Sequence, residues 1–251
     1  MESAFCRLVP DTPASAKRRI LASVTERLNR WCIEAAEITM VTQDGYRTSL
    51  LRRHLKCGHV VETSWIDAGD VLSPQDVARK REREAGGPLR LVFAGRLTAA
   101  KGIGLLLEAF RSATADGLDL QVDTFGSGPL EDECLWAVSE PAVAGRVRLR
   151  GNVPYDAAFF AALAECQVLV VPTLSDEQPR IVFDAYSQGL PVLASDTAGM
   201  KQCVVAGVTG WLFSSGHRAS LHEAIARIAA DRPSIERITA ACIERARAST
   251  H

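Results

Sequence analysis

Asp176, Glu177, Arg180 and Asp184 lie between two short β-branched runs, Val168–Val171 and Val192–Ala194. Pro172 stops the first run, so the spacing predicts a buried strand, a polar loop, a short helix and a second buried strand. Two acids and a base are thereby set at the carboxyl end of a strand. In an open parallel sheet that is where ligands bind, and a helix N-terminus there favours anions. A carboxylate pair so placed can accept hydrogen bonds from the vicinal hydroxyls of a sugar-like ligand. The plainer alternative is a solvated loop acid and a helix N-terminal acid that complements the helix dipole.

Cations recur at a second strand end. Gly95-Arg96 follows the apolar run Leu89–Ala94, and Lys101-Gly102 stands five residues later at a predicted helix start. Two positive groups beside helix N–H donors suit a diphosphate, although two solvated surface charges would read the same way. Gly126-Ser127-Gly128-Pro129-Leu130 also joins strand to helix. It partly matches the dinucleotide fingerprint G-x-G-x-x-G, but Glu131 occupies the third glycine position, which disfavours a nicotinamide-dependent enzyme. No G-x-x-x-x-G-K-[ST] sequence occurs, so a P-loop is excluded. Gly151-Asn152-Val153-Pro154 is a fourth turn after a strand, where backbone groups could meet a flat base.

These loops need a scaffold of alternating strands and helices. Strands are predicted at Leu89–Ala94, Leu118–Phe125, Val147–Arg150, Val168–Val171, Val192–Ala194 and Gly210–Phe213. Helices are predicted at Gly102–Thr114, Pro129–Ser139, Asp156–Ala164, Arg180–Gln188, His217–Ala230 and Ser234–Ala248, with a short segment at Met200–Val205. Such alternation means βαβ units: an α/β fold with a Rossmann-like parallel sheet and helices on both faces. Towards the N-terminus, residues 1–15 read as irregular and Ser15–Glu37 as a basic amphipathic helix. A strand at Ile38–Thr42, a turn at Gln43-Asp44-Gly45, a basic helix at Tyr46–Lys56 and a strand at His59–Trp65 follow. Together they form a partial N-terminal α/β segment. The polar stretch from Asp67 to Pro88 contains Arg79-Lys80-Arg81-Glu82-Arg83-Glu84 and reads as a linker or surface excursion. The expected division is therefore residues 1–66, a linker over 67–88, and a ligand-binding domain over 89–251.

Composition narrows the function classes. The 251 residues are 47% hydrophobic and 24% charged, with a formal net charge of −1, which gives no reason to expect nucleic acid. The charge is uneven: residues 1–60 hold ten Lys/Arg and six Asp/Glu, while the remainder is net acidic. Seven scattered cysteines without a C-x-x-C pair read as reduced thiols. Cys57-Gly58-His59 offers too few ligands for a metal centre. No apolar run approaches the ~20 residues of a membrane span, and the N-terminus lacks the pattern of a signal peptide.

Taken in order, the motifs resemble the C-terminal, nucleotide-sugar-binding domain of GT-B glycosyltransferases of family 4, the relatives of glycogen synthase and phosphatidylinositol mannosyltransferase. The family order is G-R-x-x-x-x-K-G, a G-x-G-P-L turn, a G-x-V-P loop, and an acid-x7-acid motif with A-x-x-x-G-x-P-V. Here these stand as Gly95-Arg96 with Lys101-Gly102, Gly126–Leu130, Gly151–Pro154, and Asp176 to Asp184 with Ala185, Gly189, Pro191 and Val192. The resemblance covers Leu89 to about Ala230 and reaches weakly back from Trp65 to Arg18.

The resemblance implies a retaining, metal-independent glycosyltransferase with no cofactor beyond its nucleotide-diphosphate sugar co-substrate. Arg96 and Lys101 would neutralise the departing diphosphate. Asp176 would contact the donor sugar, and Asp184 would hold the ribose hydroxyls. Backbone groups of Gln178, Pro179, Arg180 and Ile181 would line the sugar and phosphate pocket, with Gly95 at the phosphates and Val153 near the base. The family usually has Glu at both acidic positions and Gly after the first. Here both are Asp, each about 1.5 Å shorter in reach, and Glu177 replaces the Gly, which makes Glu177 a second candidate for the sugar contact. Gln202 stands at a later acidic position of the family.

A two-domain enzyme of this kind holds its acceptor mostly on an N-terminal domain, of which residues 1–66 represent only the last part. The expectation is a partial gene product, or a donor-binding portion completed by a partner that supplies the other half. The acceptor, whether glycan, lipid or small molecule, is left open. The rival expectation is a non-catalytic nucleotide-sugar-binding module or partner subunit. A cytoplasmic location is expected, with the basic N-terminal helices as a candidate peripheral membrane contact.

Overall fold

The computed structural model describes residues 16–41, 58–62, 64–84, 86–175 and 179–250. The expected turn at Gln43-Asp44-Gly45, the helix at Tyr46–Lys56, the irregular residues 1–15, Cys57, and Asp176, Glu177 and Gln178 lie outside the described residues. The chain divides into two compact units, Met1–Thr63 and Ser64–His251.

In the first unit, α1 (Ala16–Ala35) precedes β1 (Thr39–Val41), which pairs in parallel with β2 (Gly58–Val60), Thr39 opposite Gly58. Apolar residues recur along α1 at helical spacing, and Ile20, Leu21, Val24, Leu28 and Trp31 are all exposed. No described helix is long and apolar enough to cross a membrane.

The second unit contains a six-stranded, wholly parallel sheet. Its strands are β3 (Leu89–Ala94), β4 (Leu120–Phe125), β5 (Val147–Leu149), β6 (Val168–Val171), β7 (Val192–Ser195) and β8 (Gly210–Phe213), in the spatial order β5-β4-β3-β6-β7-β8. Numbered within the unit, that order is 3-2-1-4-5-6, the doubly wound Rossmann arrangement. The chain reverses its winding between β3 and β6.

Strand periodicity divides the core into two layers. Leu89, Leu91 and Phe93 of β3 face one side with Val168 and Val170 of β6. Against them pack Leu106 and Phe110 of α3 (Ile103–Ala115) and Leu221 and Ile225 of a C-terminal helix, Arg218–Ala230. Val92, Leu169 and Val171 face the other side. There they meet Phe159, Phe160 and Leu163 of helix Ala157–Ala164, Val182, Phe183 and Tyr186 of helix Ile181–Ser187, and Cys242 of the last helix, Pro233–Arg247. Every residue of β6 is buried, as a central parallel strand covered on both faces requires. Cys134, Cys166, Cys203 and Cys242 are buried free thiols. Burial raises the Cys166 thiol to about 12, with the nearby Asp123 carboxylate adding to the rise, so it stays protonated.

The stretch expected as a linker over 67–88 is docked on this second unit. It carries a 3-10 turn, Ala68–Asp70, and α2 (Pro74–Glu84). Lys80 of α2 is only 3% exposed. Its ammonium donates to the Ala164 carbonyl at 2.7 Å and to the Cys166 carbonyl. The Leu72 amide donates to the Ser187 carbonyl at 2.9 Å, and the Gln188 side-chain amide donates to the Asp70 carbonyl at 2.7 Å. A charge run reads as solvated because its signs alternate, yet one lysine in it caps carbonyls that the sheet's helices leave open. The compact unit that carries this stretch begins at Ser64.

Candidate functional site

Three loops at the carboxyl ends of β3, β4 and β6 meet where the winding reverses. After β3 the chain runs through Gly95-Arg96 and a 3-10 turn, Ala99–Lys101, to Gly102 at the start of α3. Gly102 has φ +73°, and a Cβ there would lie 1.9 Å from the Pro172 carbonyl oxygen. Only glycine lets the β3 loop lie directly against the β6 loop. The contact is fastened by the Leu174 amide, which donates to the Ala100 carbonyl at 2.8 Å, and by the Thr173 hydroxyl, which donates to the same oxygen at 3.2 Å. Gly126 similarly abuts the Gly95 carbonyl, 2.1 Å from a hypothetical Cβ. The Leu97 amide donates to the Ser127 carbonyl at 3.0 Å, and the Leu130 amide donates back to the Leu97 carbonyl at 3.1 Å. The glycines of the first two motifs thus serve close backbone crossings.

These crossings line a cleft of about 400 Å³. Its wall includes Gly95, Arg96, Lys101, Val153, Pro179, Arg180, Ile181 and Asp184, the eight described residues among those singled out from sequence. Asp176, Glu177 and Gln178, between Ser175 and Pro179 in the sequence, lie outside the described residues. Arg96 is exposed and Lys101 half-buried. A larger cavity of about 530 Å³ lies on the flank between α3 and helix Glu131–Val138. It is mostly apolar, its charged groups come from no strand-end loop, and Arg111 and Glu140 beside it already form an ion pair at 3.2 Å. The smaller cleft is therefore the better candidate.

Asp184 stands in the first turn of helix Ile181–Ser187 and is 3% exposed. Burial raises its carboxyl from 3.8 to about 6. The Tyr155 hydrogen bond and the Arg180 charge oppose that rise, and Asp70 adds to it. The Tyr155 hydroxyl donates to Asp184 Oδ1 at 2.9 Å. Arg180 stacks on Trp65, with its guanidinium carbon 3.8 Å from the ring centroid, and lies 5.7 Å from the Tyr155 ring. The helix itself is seven residues long, so most of the expected pull on anions falls to the side-chain cations, because so short a helix sums few peptide dipoles.

Tyr155 and Trp65 escaped the sequence reading. Tyr155 follows Pro154 directly, and an aromatic residue beside a strand-end Gly-x-x-Pro turn is a usable signal. Trp65 lies more than a hundred residues from Arg180 in the chain, so no periodicity or spacing links the two.

A doubly wound parallel sheet of this order, with cations and a buried acid in the loops at its switch point, is a Rossmann-like α/β fold with a candidate ligand site where such folds place one. The family described as glycosyl transferases group 1 matches residues 88–231, and the chain belongs to that family. It is 27% identical over 163 residues to the amylovoran biosynthesis glycosyltransferase AmsK of Erwinia amylovora, covering 62% of this chain and 40% of the relative. It is 21% identical over 232 residues to the alpha-D-kanosaminyltransferase of Streptomyces kanamyceticus, covering 90% and 59%. The crystal structure of Anabaena HepE in complex with UDP superposes with a TM-score of 0.74 at 18% identity, covering 96% of this chain and 65% of that one. The chain thus spans between two fifths and two thirds of the lengths of these proteins.

Proposed function

We propose that the chain is the donor-binding portion of a glycosyltransferase that moves a sugar from a nucleotide diphosphate to an acceptor hydroxyl. The observation that carries this reading is the convergence of Arg96, Lys101 and buried Asp184 on one cleft at the switch point. HepE binds UDP in its crystal structure, and a uridine nucleotide is the first donor class to test here.

In this reading the diphosphate lies along the β3 loop. The bond from the sugar's anomeric carbon to the diphosphate oxygen breaks as the acceptor oxygen bonds to that carbon, and the acceptor's proton leaves with the departing group. Charge grows on the diphosphate, and Arg96 and Lys101 neutralise it. The family resemblance extends this reading to a step without divalent ion or cofactor and with the donor's configuration retained. Asp184 accepts from the ribose, and Asp176 or Glu177 from the sugar. Val153 borders the base, and Pro179 and Ile181 line the sugar and phosphate side of the cleft, with Gln178 a further candidate from sequence. The acceptor, and a partner or segment that holds it, belong to the part of the relatives that this chain does not span. A cytoplasmic location, with α1 lying on an anionic membrane surface, completes the proposal.

A second reading, a nucleotide-sugar-binding module without transfer activity, is favoured by one observation. Asp184 is a methylene shorter than the Glu of the resembled family, and its Oδ1 already holds the Tyr155 hydroxyl. Incubation with UDP-sugars separates the two. Release of UDP that falls at least a hundredfold in Arg96→Ala/Lys101→Ala supports transfer chemistry, given the usual worth of a lost charge-stabilising donor. Saturable binding with no sugar release, alone or with acceptor extracts, supports the module.

A further inference from the structure

Tyr155 is 46% exposed at the cleft although it is one of its largest side chains. Its ring is nevertheless fixed. It packs against Phe159 and Phe160, with centroids 5.6 and 5.4 Å away, and both are buried on helix Ala157–Ala164. Arg180, itself stacked on Trp65, stands beside it. The phenol stays neutral, because burial first and the Asp184 charge second push its pKa upward. A neutral phenol has one proton, and here it goes to Asp184 Oδ1 at 2.9 Å. The phenolic oxygen therefore keeps its lone pairs as acceptors. Beside Asp184, which is 3% exposed, the cleft presents a second and more exposed acceptor oxygen, held by a packed ring.

We propose that Tyr155 reads the ribose of the bound nucleoside diphosphate, its phenolic oxygen accepting from one vicinal hydroxyl while Asp184 accepts from the other. The inference rests on the nucleotide reading above and adds a specificity-determining residue to it. A fixed pair of acceptors suits a cis-diol and leaves an acceptor unmet when either hydroxyl is missing.

Calorimetric titration of UDP, 2′-deoxy-UDP and 3′-deoxy-UDP into the wild-type chain and Tyr155→Phe tests this. The wild type should prefer UDP to both analogues. Tyr155→Phe should weaken UDP about fivefold, the worth of one hydrogen bond, and abolish the discrimination against one deoxy analogue while keeping it against the other. The proposal is overturned if the wild type binds UDP without ribose discrimination. It is equally overturned if the variant binds UDP as tightly as, or more tightly than, the wild type, since Tyr155 would then be a group the ribose must displace. An equal loss for all three ligands marks a structural role and also overturns it. If the wild type binds none of the three, the nucleotide reading fails and this inference fails with it.

Discussion

Asp184 is charged at neutral pH only at a cost to the fold. Its folded-state value of about 6 lies above the 3.8 of an ordinary Asp, with burial as the main cause. The native protein therefore holds this proton more tightly than the unfolded chain. The associated stability is complete below pH 3.8 and is lost as pH rises through about 6. Two pH units correspond to about 3 kcal/mol. The groups around the carboxyl are Tyr155, Arg180 and Asp70, and none of them is altered in Asp184→Asn. Urea unfolding of the wild type and of Asp184→Asn at pH 4 and pH 7 should show the wild type losing about 2.4 kcal/mol relative to the variant over that interval, since the unfolded-state carboxyl has already begun to titrate at pH 4. A pH-independent difference contradicts the assigned burial. A carboxylate kept ionised despite such a cost, in a cleft beside two cations, suits a group that accepts hydrogen bonds from a ligand.

At the scale of elements, the site is built by loop crossings. Gly102→Ala places a methyl group inside the Pro172 carbonyl and forces a left-handed conformation on a non-glycine residue. Substitution should cost about 2–4 kcal/mol, read as a lowered urea midpoint, and should weaken nucleotide binding because the β3 and β6 loops separate. An unchanged midpoint contradicts the crossing. The same element shows what the sequence could and could not reveal. Leu89–Ala94, Val168–Val171 and Gly210–Phe213 are legible to the residue, because apolar runs bounded by Gly or Pro mark buried parallel strands. Helix ends shifted by one or two residues, and Ala99–Lys101 emerged as a separate 3-10 turn, because a cap is decided by local backbone angles. The placement of Arg96, Lys101 and Asp184 after strand ends, where they line one cleft, is legible from type and spacing. Tyr155, Trp65 and the docking of α2 through Lys80 were not, since each depends on a tertiary contact between distant positions that leaves no period in the chain.

At the scale of the whole molecule, the second unit holds every described cleft residue, and its sheet order alone dictates where they meet. The proposed binding of a nucleoside diphosphate at this switch point depends on Arg96 and Lys101. Its most direct test is the melting temperature with and without UDP. A ligand at a hundredfold excess over its dissociation constant stabilises the native state by about 2.7 kcal/mol. For a chain of this length that means a rise of roughly 5 °C or more. The wild type should show that rise, and Arg96→Ala/Lys101→Ala should lose it with the fold intact. The proposed binding is contradicted if neither UDP nor another nucleoside diphosphate moves the wild-type transition, or if the double variant responds as the wild type does.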